Sequence, residues 1–113
     1  MHRRDYMAAR IFYEKDTMTV FLDGEIDHHS AALIRAGIDD AILTSRPKML
    51  VLDFGGITFM DSSGIGLVMG RYRLLRPLGG EIVMTNLPAS ICKVMKLAGL
   101  EKIGRIEERE VTV

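Results

Sequence analysis

The chain has no tryptophan, only three prolines and a single cysteine, Cys92, in 113 residues. One thiol excludes an intramolecular disulfide and fits a reducing compartment. An excess of charge of either sign is lacking as well. Fifteen basic side chains balance fifteen acidic ones, so net charge gives no reason to expect direct binding to nucleic acid or to an anionic membrane. No apolar run approaches the roughly 18 residues that a membrane-spanning helix needs. The basic start, MHRRDYMAAR, is not followed by the apolar stretch of a secretory signal. These absences predict a cytoplasmic protein. What is present is the balance of a globular domain, 48% apolar and 27% charged residues, at a length that suits one domain with its own core.

Residues 1–8 are expected to form a flexible tail, with the domain spanning 9–113. ARIFYE (9–14) and TMTVFLDG (17–24) read as strands, the second with Met18, Val20 and Leu22 alternating against Thr19, Phe21 and Asp23. The short turn between them predicts an antiparallel hairpin. Leu33, Ile34, Ile38, Ala41 and Ile42 form a helical stripe over 30–44, and Pro47 closes that region. MLVLDF (49–54) is the near-continuous apolar run of a central strand. A helix over 63–76, a strand EIVMT (81–85) and a helix over 88–98 follow. Pro88 lies in the first turn of that last helix and Gly99 at its C′ position. KIGRIE (102–107) is a weaker strand, and EREVTV is a frayed end or a short edge. Strand–helix–strand units imply parallel neighbours joined by right-handed crossovers. The expected fold is α/β, with a mixed sheet of four or five strands and helices mainly on one face.

The most informative stretch is TFMDSSGIGLVMGRY (58–72), where helical apolar spacing begins inside a run of serines and glycines. A glycine in a helix costs about 1 kcal/mol relative to alanine. Asp61 or Ser62 as an N-cap explains one residue of the run but not the rest. Bare positions such as Gly64 let another molecule approach the backbone, and a helix N-terminus suits a phosphate. A strand-to-helix loop at the C-terminal edge of a central strand is also where α/β proteins place their sites. The pattern therefore points to a serine presented to a partner's active site.

Other chemistries find less support. Glycines 64, 66 and 70 miss the dinucleotide spacing, and neither a G-x-x-x-x-G-K-[ST] loop nor a G-x-S-x-G elbow is present. A small nucleotide-binding protein using Gly64–Gly70 remains the enzyme-class alternative. His28 and His29 in GEIDHHSA are candidate metal ligands or phosphoryl acceptors, but no further cluster stands at ligand spacing. The plain reading there is a polar loop with Asp27 or Ser30 capping the next helix. Arg71, Arg73 and Arg76 read as a solvated face near a helix C-terminus. Cys92, beside Ile91, Val94 and Met95, reads as a core or boundary thiol.

GEIDHH, VLDFGGITFMDSSGIGLVMGRY and GGEIVMTNLPASICKVMKLAGL together resemble the STAS-domain anti-sigma factor antagonists over about residues 9–107. D-S-S-G-I-G after an apolar strand is specific for that family. GEIDHH and the GRY ending resemble its sporulation type in endospore-forming bacteria, with the stress-response type as alternative. The resemblance implies a single STAS-like domain that is not an enzyme and needs no cofactor or metal. It implies that Ser62 is phosphorylated by an anti-sigma factor serine kinase and restored by a metal-dependent serine phosphatase. It further implies that the unphosphorylated form binds the anti-sigma factor and frees the sigma factor. Asp27, Asp61, Ser62, Ser63 and Gly64 are then the partner-binding residues. The chain departs from the family in its basic N-terminal extension, in Gly37 within the first helix and in a short C-terminus.

Overall fold

In a computed structural model, residues 9–110 are described in full and residues 2–6 in their backbone course. Six strands form one sheet in sequence order: β1 (His2–Tyr6), β2 (Ala9–Glu14), β3 (Thr17–Ile26), β4 (Met49–Met60), β5 (Glu81–Leu87) and β6 (Arg105–Glu108). The first three are antiparallel neighbours, and β3 through β6 run parallel. Helices α1 (His28–Ser45), α2 (Ser62–Leu75) and α3 (Ala89–Leu97) make the three crossovers. Crossovers that advance one strand at a time with the same hand must all lie on one face.

Alternation along the strands builds the core beneath that face. Ile11, Met18, Val20, Leu22, Leu50, Leu52, Phe54, Ile82 and Met84 are buried against Ile34, Ile38, Ala41 and Ile42 of α1, Leu67, Val68 and Leu75 of α2, and Ile91 and Met95 of α3. Cys92 belongs to the same core, where burial pushes its thiol pKa up. The other face is more open. There the rings of Phe12 and Phe21 meet edge to face with centroids 5.4 Å apart, and the Arg10 guanidinium lies 5.6 Å over Phe21.

The mixed sheet and the one-sided helices are as the pattern predicts, with differences in extent. His2–Tyr6, expected as tail, pairs with β2 and adds a strand to the four or five anticipated. HRRDY has no apolar alternation to announce a strand; backbone pairing at an edge is enough to make one, and charged residues suit an edge. Met1, Met7, Ala8 and the last three residues of EREVTV lie outside the described residues. β3 and β4 run on to Ile26 and Met60, past the expected ends at 24 and 54, because they pair with each other through Ile26↔Met60. Leu100–Lys102 forms a 3-10 turn, so β6 begins at Arg105 and not at Lys102. Arg71 is the largest departure. Expected in solvent, it is 5% exposed, and its Nε lies 2.7 Å from Asp39 Oδ1 on α1.

Candidate functional site

Two strand ends meet at the C-terminal edge of the sheet. The Asp61 amide donates to the Ile26 carbonyl at 3.1 Å, tying the end of β4 to the end of β3. One residue beyond each strand stands an aspartate, and each aspartate starts a helix. Asp27 is the N-cap of α1: its Oδ1 accepts from the Ser30 amide at 2.8 Å, while the Ser30 hydroxyl accepts from the Asp27 amide at 3.0 Å. That hydroxyl also donates to the Glu25 carbonyl at 2.8 Å, which holds the loop closed. The backbone hydrogen bond from Ser30 is the main reason the Asp27 carboxyl titrates below its ordinary value. Asp61 plays the same part for α2, its Oδ1 accepting from the Ser63 amide at 2.8 Å.

The cap therefore falls to Asp61, one of the two residues the sequence left open, and Ser62 is released from that duty. Ser62 is the first residue of α2 and is exposed. Its hydroxyl stands where two parallel helices begin side by side, each with about half a positive charge at its start. An attached phosphate there meets backbone dipoles favourable to it.

Of the residues expected in the site, Asp27, Asp61, Ser62 and Ser63 come together at this edge. Gly64 does not. It is buried, and a Cβ built on it would stand 2.3 Å from Met60 Cγ and Sδ. The glycine serves the fit of α2 onto the end of β4, and its methyl would not stand between α2 and a partner. The exposed backbone belongs instead to Gly66 and Gly70, where an added Cβ meets nothing within 4 Å. Their spacing of four from Ser62 was readable in the sequence as one helical stripe. Gly66, Ser63 and Leu67 of α2 face His28, Ala31, Ala32 and Arg35 of α1 across a hollow of about 210 Å³.

The residues of the alternative readings lie in helices. Gly64, Gly66 and Gly70 are all helical with none at positive φ, so they form no phosphate-cradling loop. His28 and His29 lie in the first turn of α1 and not in a loop. Among the described residues no three His, Cys, Asp or Glu side chains gather to hold a metal ion.

Comparison with known proteins places the chain. Residues 9–112 match the STAS domain. An anti-sigma F factor antagonist of Paenibacillus polymyxa is 34% identical over 88% of this chain and 85% of its own length. Among solved structures, the unphosphorylated form of the anti-sigma factor antagonist SpoIIAA superposes with a TM-score of 0.78 at 34% identity, covering 88% of this chain and 87% of that one. The phosphorylated form of the Bacillus cell fate determinant SpoIIAA gives 0.71 at the same identity, over 88% and 90% of the two chains. The chain belongs to the STAS domain family, among its anti-sigma factor antagonists.

Proposed function

We propose that this chain is a phosphorylation-controlled binding module of the sporulation type, acting in the cytoplasm and not itself an enzyme. Unphosphorylated, it docks on an anti-sigma factor through the edge formed by Asp27, Asp61, Ser62, Ser63 and the bare face of α2, and the sigma factor is released. The anti-sigma factor, a serine kinase, then transfers a phosphoryl group from ATP to the Ser62 hydroxyl. A metal-dependent serine phosphatase removes it.

The observation that carries this reading is the exposed Ser62 at the first position of α2, freed from capping by Asp61. Phosphorylation adds about 1.5 to 2 negative charges. The α2 N-terminus accommodates that charge, so the phosphate acts at the interface and not on the fold. There it adds bulk and repels acidic groups of the partner, beside Asp61 and Asp27 which are acidic already. A loss of about 4 kcal/mol in docking corresponds to roughly a thousandfold in affinity. The test is incubation with the host's anti-sigma factor and ATP, the modified residue being located by fragmentation mass spectrometry. Phosphate on Ser62, abolished in Ser62→Ala, is the expected result. Phosphate on Ser63, or an acid-labile phosphohistidine at His28 or His29, overturns the assignment.

A further inference from the structure

The buried Asp39–Arg71 pair has no part in the site, yet it joins the two helices that carry the site. Asp39 lies twelve positions after Asp27 on α1, and Arg71 nine positions after Ser62 on α2. At 1.5 Å per residue, the pair sits about 14–18 Å behind Ser62 and Asp27. Arg71 Nε and Asp39 Oδ1 are 2.7 Å apart, and Arg71 Nη1 has no hydrogen-bond partner. Desolvation outweighs the mutual attraction at both groups, pushing Asp39 up and holding Arg71 below its ordinary value.

A pair so placed is a poor source of stability, because apolar side chains of similar volume often hold a core as well or better. What it supplies is a fixed point. Ahead of it, toward the site, the two helices are parted by the hollow of about 210 Å³, lined by His28, Ala31, Ala32 and Arg35 of α1 and by Ser63, Gly66 and Leu67 of α2. A hollow holds two helices along their axes less firmly than packed side chains do, and a shift of one residue would carry Ser62 about 1.5 Å along α2's axis relative to Asp27.

We infer that Asp39 and Arg71 are positioning residues: they lock α1 and α2 in register, and so set the spacing of the Asp27 and Ser62 starts that the partner reads. The inference rests on Ser62 as phosphoacceptor for its kinetic readout only. The test is the full chain carrying Asp39→Leu with Arg71→Met. Thermal stability should equal or exceed the parent's. Amide resonances of Asp27, Asp61 and Ser62 should move while those of the sheet stay in place. With the host's anti-sigma factor kinase and ATP, kcat/KM for phosphorylation should fall at least tenfold, mainly through KM. Parental kinetics or unmoved site resonances in the double variant overturn the inference. So does a fall in rate that merely follows a fall in stability, which would make the pair an ordinary strut. A parental chain left unphosphorylated on Ser62 strikes the functional reading instead, and the resonances still decide the helix register.

Discussion

Ser62 and Asp61 divide two tasks that the run DSS leaves undivided in the sequence. Because the Asp61 carboxylate takes the Ser63 amide, Ser62→Ala removes no cap, and the substitution should change stability by no more than about 0.5 kcal/mol. Asp61→Ala should cost about 1 kcal/mol, the usual value of a lost N-cap. Urea denaturation of both variants checks the order, and a larger loss for Ser62→Ala would return the cap to the serine. The consequence for assays is direct. On the proposed reading, Ser62→Ala reports on phosphorylation with the fold intact, whereas variants at Asp61 mix docking with helix stability. Asp27 carries the same ambiguity, since it caps α1 and belongs to the proposed docking edge.

The glycines of α2 separate in the same way once the helix is seen as an element with an inner and an outer side. Gly64→Ala should destabilise by about 1–3 kcal/mol, because the new methyl has to displace Met60. Gly66→Ala meets open space and should stabilise α2 by about 1 kcal/mol, while weakening anti-sigma factor binding. Thermal melts and titration calorimetry on the two variants test this, and a Gly66→Ala variant that binds like the parent would remove the bare face from the interface. The elements with strong apolar periodicity, β3, α1, the first half of β4, α2 and β5, were legible in the sequence because burial imposes the pattern. Those without an apolar alternation were not: β1 in HRRDY, and the ends of β3 and β4 beyond Gly24 and Gly55, which pair with each other and bury Ile26 and Ile57. Arg71 was misread because a cation near a helix C-terminus looks solvated until its neighbour is known. That neighbour, Asp39, comes from another helix.

In the molecule as a whole, four parallel strands in sequence order deliver the starts of α1 and α2 to one edge, and the sheet beneath them is a single packed unit. The chain superposes on SpoIIAA in both its unphosphorylated and its phosphorylated form. A charge at a helix N-terminus contributes about 0.3–1 kcal/mol, so phosphorylation should shift the melting temperature by no more than about 4 °C. Calorimetry on the two purified forms measures this, and a drop of ten degrees would mean that the phosphate works by loosening the fold. The paired helix starts thus leave the modified chain without a spring. No strain drives the phosphoryl group off, and no unfolding marks the modified chain for proteolysis. On the proposed cycle, the phosphorylated pool is then a record of past kinase encounters, kept until a phosphatase erases it, and it can be returned to use all at once without new protein being made.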